Sequence, residues 1–253
     1  LMEGLLLIDK PGGLTSHDVV DRIRRRFKIR RVGHGGTLDP AATGLLILLV
    51  GRATHHARIL LSADKTYHST LGLGIVTDTQ DAQGRVLETH PVGPLERNQI
   101  ETICNSFRGT IQQKVPAYSA VRIHGRRFYD LARAGKPVPS RLRRVTIHEL
   151  EVVDVLLPEV DLNVTCSSGT YVRTLCADIG EALGCGGHLS RLVRTRVGPF
   201  ALEQAVKLEE CQEKHLLPVS TLFAAPRHPG EGSEATKPVR PQPPSREARD
   251  SDR

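Results

Sequence analysis

"RVGHGGTLDPAATGLLILLV", residues 31–50, joins a glycine-rich turn to a continuous apolar run. The apolar part, residues 44–50, has the length and composition of a buried β-strand. The three glycines of residues 33–36 allow a turn with positive φ and a close approach of the backbone to a ligand. Asp39 is the only acid of the stretch, and Pro40 biases its backbone toward an extended conformation. The pattern fits a carboxylate displayed at the floor of a cleft, or an aspartate that only closes a turn.

Around this stretch, the order of strands and helices predicts an α+β fold. Residues 4–10 are predicted to form a buried strand, and Ser16 is placed to cap the helix that follows. Further amphipathic helices are predicted within residues 95–109 and 170–184, and one strand over residues 65–77. Strands and helices do not alternate in regular βαβ units, which disfavours a doubly wound parallel sheet.

The charge of the chain indicates a polyanionic partner. The net charge is +7, and the basic residues cluster in residues 22–31, 141–148 and 188–196. Such clusters favour contact with nucleic acid, although solvated helix faces have the same composition. Aromatic residues make up only 4% of the chain, which disfavours binding through many stacked aromatic side chains.

Several other classes of protein are disfavoured by the sequence. The five cysteines have no CxxC spacing, which predicts reduced thiols in a cytoplasmic protein and neither a disulfide framework nor a zinc site. No apolar run approaches the roughly 18 residues of a membrane span, and no signal-peptide pattern is present. The absence of Walker and GxGxxG motifs leaves a nucleotide cofactor unsupported.

Two further side chains have chemistry that a cleft could use. Tyr67 lies in "DKTYH", within a predicted strand, where a tyrosine usually packs with its hydroxyl toward water. Arg173 lies in the first turn of a predicted helix, off its apolar stripe, where it could pair with a carboxylate or remain on the surface. Neither residue alone indicates a function.

Six longer segments together resemble the TruB family of tRNA pseudouridine synthases over roughly residues 4–200. In chain order they read DKPGGLTSHDVV, GHGGTLDPAATGLL, DKTYH, TDTQDAQG, VPAYSAVRIHGRRFYDLARAG and CSSGTYVRTLCADIGEALGCGGHLSRLVRT. The resemblance implies the pseudouridine synthase fold, with a large, mostly antiparallel mixed sheet, flanking helices and a thumb-like insertion. It also implies an isomerase that flips a uridine out of the tRNA T loop, at position 55, and converts it to pseudouridine without cofactor or metal.

The resemblance assigns roles to individual residues. Asp39 matches the catalytic aspartate, Tyr67 the active-site tyrosine and Arg173 the arginine that pairs with the aspartate. His34 matches a histidine that supports base flipping. The whole set of positions expected to bind substrate is Lys10, His34, Gly35, Gly36, Thr37, Asp81, Tyr171 and Leu192.

The expected organisation is a catalytic domain over residues 1–200, with its thumb at about 115–143. A short ordered extension, residues 201–223, takes the place of a full PUA domain, and a disordered Pro-rich tail, residues 224–253, follows. The expected partner is the T loop of tRNA, bound by a cytoplasmic monomer. The alternatives are a tRNA-binding folding factor with catalysis secondary or lost, and a guide-RNA-dependent relative within a ribonucleoprotein, which a missing PUA domain disfavours.

Overall fold

A computed structural model describes residues 2–119, 122–123, 126–128, 134 and 136–224. The α-helices are α1 (Ser16–Phe27), α2 (Ala57–Ser62), α3 (Arg97–Ser106), α4 (Val172–Ala182) and α5 (Thr221–Ala224). The short 3₁₀ helices are Gly51–His56, Leu202–Gln204, Leu208–Glu210 and Glu213–His215. The strands are β1 (Gly4–Lys10), β2 (Val32–His34), β3 (Thr43–Val50), β4 (Lys65–Leu73), β5 (Ile75–Thr77), β6 (Val86–Thr89), β7 (Gly109–Lys114), β8 (Arg122–Ile123), β9 (Arg126–Arg127), β10 (Leu142–Leu156), β11 (Glu159–Cys166), β12 (Gly187–Val197), β13 (Phe200–Ala201) and β14 (Val206–Lys207).

Ten of the described strands form one mixed sheet. Its order is β14-β1-β3-β12-β4-β11-β10-β7, with β2 added beside β3 and β13 beside β12. The pairs β1–β14 and β3–β12 are parallel, and the other pairs are antiparallel. The predicted α+β fold with a large, mostly antiparallel sheet is therefore confirmed.

The apolar run that ends the opening stretch forms β3, near the middle of this sheet. Its residues 44–50 are all buried, and β1 and β12 lie on its two sides. Leu46 and Leu48 pack into one core, whereas Leu45 and Ile47 pack into another on the opposite face. Burial of both faces explains why the run shows no alternation of polar and apolar residues.

The start of α1 differs from the prediction. Thr15, and not Ser16, is the N-cap, and it forms a capping box with Asp18. The Ser16 hydroxyl donates to the Leu38 carbonyl (3.2 Å) and accepts from the Leu38 amide (2.8 Å). Because these bonds cross from the helix to the glycine-rich turn, Ser16 fixes the residue immediately before Asp39.

The arginine-rich face of α1 is only partly available to a polyanion. Arg24 donates to the Val32 carbonyl (2.8 Å), and Arg26 donates to the Cys211 carbonyl (3.2 Å). These two guanidinium groups attach the helix to neighbouring segments, although only Arg24 is partly buried and Arg22, Arg25 and Arg26 are exposed. Two of these arginines therefore bridge α1 to other segments of the chain and are not wholly free to meet a polyanion.

The strand predicted over residues 65–77 is interrupted. Gly74 has φ 85° between β4 and β5, and a Cβ atom there would lie 2.7 Å from the Val92 side chain. The chain therefore leaves the large sheet at Gly74, and β5 pairs with β6 in a separate hairpin. This turn brings residues 77–84, the "TDTQDAQG" segment, toward α4.

The remaining predicted segments are described in part. Residues 201–223 pack against the sheet, since β14 pairs with β1 and Leu217 forms a bridge with Leu5. The expected thumb, about 115–143, includes the β8–β9 hairpin and otherwise falls partly outside the described residues. The predicted tail lies outside them from residue 225 onward. Within the described ranges, no helix is long and apolar enough to cross a membrane.

Gly44 provides a test of how β3 and β12 pack. Its φ is 95°, and a Cβ atom would lie 2.4 Å from the Arg194 carbonyl oxygen on β12. We expect Gly44→Ala to lower the free energy of unfolding by at least about 2 kcal/mol, because the backbone is strained and the strands must separate. Urea unfolding followed by circular dichroism measures this change.

Gly93→Ala is the matched control. No atom lies within 4 Å of a Cβ atom built at Gly93, so its stability should stay within about 0.5 kcal/mol of the wild type. Wild-type stability in Gly44→Ala would contradict the close packing of β3 against β12.

Candidate active site

The Asp39 carboxylate lies at the end of a loop that is held at several points. The Gly35 amide donates to the Ile47 carbonyl (2.8 Å), and Ser16 fixes Leu38. The Ala42 amide donates to the Asp39 carbonyl (3.1 Å), which closes a turn. The carboxylate itself is 46% exposed. The two alternatives for this residue are therefore compatible, because its backbone closes a turn while its side chain faces outward.

Arg173 forms an ion pair with the Asp39 side chain from the interior of the protein. Its guanidinium is only 7% exposed, and its Nε lies 3.0 Å from Asp39 Oδ2. Nη1 donates to the Thr79 carbonyl (3.0 Å), and Nη2 donates to the Tyr118 carbonyl (2.9 Å). The surface alternative for this arginine is excluded. The side chain instead joins the Asp39 loop to two other segments of the chain.

Asp81 is the second acid beside Arg173. Its Oδ2 lies 3.7 Å from Arg173 Nη1, and the side chain is 20% exposed. Its Oδ1 accepts from the Thr79 hydroxyl (2.6 Å) and the Gln83 amide (3.0 Å). These contacts stabilise the loop of residues 77–84 and one side of the guanidinium. Asp81 was expected at the substrate, and its described contacts are to the protein.

Tyr67 lies on β4 and packs at the junction of two cores. Its ring and the side chain of Leu192 each contact both the α1-side core and the α4-side core. Burial raises the pKa of the Tyr67 hydroxyl, and the nearby Asp39 charge acts in the same direction. The Arg194 guanidinium opposes this rise. The phenol is therefore protonated at neutral pH and lies beside both a cation and a carboxylate.

Arg194 is a site residue that the sequence reasoning missed. It belongs to the basic cluster predicted to face a polyanion, yet it is only 2% exposed. Its guanidinium donates to the carbonyls of Leu45 (2.8 Å), Gly36 (3.2 Å) and Thr37 (3.2 Å). The available signal was strand periodicity, because Arg194 lies two residues after Leu192 and therefore on the same face.

Lys10 does not contact the solvent-facing side of the site. It is fully buried, and its ammonium donates to the carbonyls of Pro11 (2.9 Å), Leu14 (2.7 Å) and Pro40 (3.2 Å). Burial lowers its pKa to about 8. All three donors of Lys10 are used within the protein, and its role in substrate binding stays a prediction. Its bond to Pro40 instead anchors the residue after Asp39.

The glycines before Asp39 provide room for protein groups. A Cβ atom at Gly35 would lie 2.6 Å from the Leu60 side chain. Gly36 has φ 148°, and its Cβ would lie 3.6 Å from Arg194 Nη1. The side-chain face of Gly35 is therefore filled by Leu60, and the binding of substrate by Gly35 and Gly36 stays a prediction.

The remaining expected positions surround the same loop and the start of α4. Burial lowers the pKa of His34, with a smaller effect of the Arg194 charge, so its half-buried ring is neutral at neutral pH. Thr37 is exposed. Tyr171 caps α4, and its amide donates to the Gln113 side chain (3.0 Å) while its carbonyl accepts from it (3.3 Å). Buried Gln113 thus fixes the backbone two residues before Arg173.

A cavity of about 560 Å³ lies elsewhere, between the β5–β6 hairpin and the end of α4. Its walls include Asp78 and Asp178 but neither Asp39 nor Tyr67. The candidate site is therefore the exposed side of the Asp39 loop and not this cavity. Within the part of the chain that the structure describes, no group of His, Cys, Asp and Glu is arranged to hold a metal ion.

Two family models match adjoining parts of the chain. The model of the TruB family pseudouridylate synthase N-terminal domain matches residues 24–172, and that of the tRNA pseudouridylate synthase B C-terminal domain matches residues 173–221. The first match contains Asp39 and Tyr67, and Arg173 opens the second.

Curated relatives and solved structures agree with these two family models. The relative from Syntrophotalea carbinolica, named tRNA pseudouridine synthase B, is 47% identical over 82% of this chain and 68% of its own. Another of that name, from Thermobifida fusca, is 44% identical over 89% and 80%. A chain in a crystal structure of a Cbf5–Nop10–Gar1 complex is 30% identical with a TM-score of 0.70, over 87% of this chain and 61% of that one. A chain of an H/ACA RNP bound to a substrate RNA containing 2′-deoxyuridine is 28% identical, with a TM-score of 0.66.

The chain thus spans about three fifths of those two solved chains but most of the length of the curated relatives. The fold expected from the six segments is confirmed by these matches. A family model that covers more than half of the residues, joined to relatives of this identity, leaves one assignment: the chain belongs to the TruB family of pseudouridylate synthases.

Proposed function

We propose that this protein is an isomerase that converts uridine to pseudouridine at position 55, in the T loop of tRNA. The observation that carries the proposal is the half-exposed Asp39 carboxylate, held at 3.0 Å by the buried Arg173 guanidinium and lying near Tyr67. Family membership and the relatives named tRNA pseudouridine synthase B support the same activity.

The reaction needs only acid, base and nucleophile. The bond between N1 of uracil and C1′ of ribose breaks, and a bond between C5 and C1′ forms. C5 loses a proton and N1 gains one, so no electrons are gained or lost and no cofactor is required. Side chains of the Asp39–Arg173–Tyr67 set supply these functions, in keeping with an enzyme that works without a cofactor.

Asp39 is the proposed nucleophile or base of the reaction. It attacks the nucleoside or supports loss of a proton from the sugar, and both roles require an ionised and oriented carboxylate. Arg173 supplies the orientation, because its Nε faces one carboxylate oxygen while its other nitrogens are bonded to Thr79 and Tyr118. The second oxygen of Asp39 is left to face the substrate.

Tyr67 is proposed to stack on the flipped base and to accept the proton from C2′ of the ribose. The phenolate form of Tyr67 is the proton acceptor, and the neighbouring Arg194 cation favours this role because it stabilises the phenolate. His34, Thr37, Tyr171 and Leu192 are proposed to line the space around the base. Asp81 is proposed to act through Arg173.

Binding of tRNA would depend on the basic surface and the thumb. Flipping a stacked base costs about a few kcal/mol, which contacts between arginines and phosphates offset. Tyr118 connects the base of the thumb to the site through its bond to Arg173. We propose a cytoplasmic monomer with a catalytic unit over residues 1–200 and a short extension over residues 201–223. For the thumb, about 115–143, we propose contact with the T loop.

Asp39→Asn tests the catalytic carboxylate. Pseudouridine formation replaces the C5–H bond, so tRNA carrying tritium at uridine C5 releases it during the reaction. We expect the single-turnover release rate to fall by at least about 10⁴-fold, because the amide is neither nucleophile nor base at neutral pH. Filter binding should show tRNA affinity close to that of the wild type.

Glu159→Gln is the matched control for this variant. Glu159 is about as exposed as Asp39 (45%) and also pairs with an arginine, Arg191, at 3.2 Å. Its release rate should equal that of the wild type. Substantial tritium release by Asp39→Asn would refute the role of Asp39.

Tyr67→Phe separates base catalysis from stacking. The phenylalanine ring can still stack on uracil, so tRNA affinity should change less than about threefold. The single-turnover rate should fall by about 10²-fold or more, because the proton acceptor is lost. An unchanged rate would rule out the hydroxyl as the base and leave Tyr67 with a packing role.

The folding-factor alternative predicts a different pattern. It requires tight tRNA binding by the wild-type protein with no tritium release. In that case Asp39→Asn and Tyr67→Phe would both behave as the wild type does.

A further inference from the structure

Arg194 on β12 and Tyr67 on β4 lie opposite each other on two neighbouring strands in the middle of the sheet. The register of β12 against β4 pairs Arg194 directly with Tyr67, and the register of β12 against β3 pairs Arg194 with Gly44. Antiparallel neighbours in register present their side chains on the same face of the sheet. The guanidinium therefore lies between the Tyr67 ring and the loop that carries Asp39.

The charge of Arg194 has no acidic partner. It is 2% exposed, and no carboxylate among the described residues forms an ion pair with it. Its well-formed hydrogen bonds go to three backbone carbonyls, those of Leu45, Gly36 and Thr37. The Tyr67 hydroxyl is paired with it across the β12–β4 register, and this neighbour opposes the lowering of the Arg194 pKa by burial. A buried cation without a counter-ion is costly, and a phenolate beside it would reduce that cost.

The chemistry of the two groups determines the direction of a hydrogen bond between them. A guanidinium only donates, so in such a bond the Tyr67 oxygen accepts from Arg194. The hydrogen of the Tyr67 hydroxyl must then point away from β12. A base needs its oxygen lone pairs held in place and its own proton released elsewhere, and this arrangement provides both.

The other titratable groups near Tyr67 act against ionisation of its hydroxyl. Besides burial itself, these are the Cys166 thiol on β11 and the Asp39 carboxylate of the loop, and both raise the pKa of Tyr67. Arg194 is the charged group that lowers it. Ionisation of Tyr67 therefore depends on Arg194 more than on any other neighbour in the described structure.

We propose that Arg194 is a positioning residue for catalysis, which holds the Tyr67 oxygen as a hydrogen-bond acceptor and stabilises its phenolate. The inference deepens the proposed function and rests on it for the catalytic role of Tyr67. The contact between the two side chains, however, can be tested without any RNA.

The first experiment measures the ionisation of Tyr67 by ¹⁹F NMR. The chain has four tyrosines, and incorporation of 3,5-difluorotyrosine gives each a fluorine signal, with that of Tyr67 assigned by its loss in Tyr67→Phe. The fluorinated phenol is more acidic, which brings its titration into the range where the protein is folded. In Arg194→Gln, which keeps N–H donors but removes the charge, we expect the Tyr67 titration to move up by at least about one pH unit, a tenfold change in its ionisation constant.

Lys65→Met is the matched control. Lys65 is a buried cation on the same strand, two residues before Tyr67, and its ammonium donates to the carbonyls of Leu60, Leu61 and Ala63. Removal of this charge should leave the Tyr67 titration where it is in the wild type. Equal titration of Tyr67 in the wild type and in Arg194→Gln would overturn the proposal.

A second measurement needs no variant at Arg194 and stands if Arg194→Gln fails to fold. The intensity ratio of the tyrosine Fermi doublet in Raman spectra reports whether a phenol oxygen accepts or donates. The difference spectrum between wild type and Tyr67→Phe isolates Tyr67. We expect the ratio of a hydrogen-bond acceptor, and the ratio of a pure donor would contradict the inference.

The pH profile of the reaction connects this contact to catalysis. In Arg194→Gln, the single-turnover rate should fall at neutral pH and its rise with pH should move to higher pH, with tRNA affinity unchanged. Arg194→Lys should regain part of the rate, because it restores the charge. A purely structural role would lower the rate equally at every pH. If Tyr67→Phe retains the wild-type rate while the NMR shift is present, the proposed function of Tyr67 fails and the contact with Arg194 stands.

Discussion

The ion pair between Arg173 and Asp39 is the interaction on which the arrangement of the site depends. A guanidinium that is 7% exposed must satisfy its N–H groups within the protein, and Arg173 does so on three different segments. Asp39 comes from the loop before β3, Thr79 and Asp81 from the turn after β5, and Tyr118 from the start of the thumb. One helix residue thus fixes the mutual positions of three loops, which strand pairing alone would leave adjustable.

Two buried cations bind the inner side of the loop that carries Asp39. Arg194 binds the carbonyls of Gly36 and Thr37, and Lys10 binds that of Pro40. Because these carbonyls point inward to buried positive charges, the Asp39 side chain is free to point outward. The inner side of the loop presents carbonyls that are bonded to Arg194 and Lys10, and its outer side presents the Asp39 carboxylate. This polarity explains why a chain would place one acid between a glycine turn and a proline.

The sequence predicted the elements whose signals are local. The buried strands β1 and β3 follow from short continuous apolar runs, and the apolar stripe of α4 follows from helical periodicity. The burial of Arg194 did not follow, because arginine is usually exposed and its partners are more than a hundred residues away in the chain. The break at Gly74 and the contact of Gly35 with Leu60 also depend on segments that are distant in the chain, whereas the cap at Thr15 is a local capping box with Asp18. The sequence around each of Asp39, Tyr67 and Arg173 did not indicate that the three residues act at one site. Only the family resemblance, and then the structure, brought them together.

The most direct test of this account is the position at which the protein modifies tRNA. An unmodified tRNA transcript is incubated with the protein, and pseudouridine is mapped by primer extension after carbodiimide treatment. The account predicts one strong stop, at the uridine of the T loop at position 55, and none with Asp39→Asn. A transcript that is bound but carries no pseudouridine, or one that is modified only outside the T loop, would contradict it.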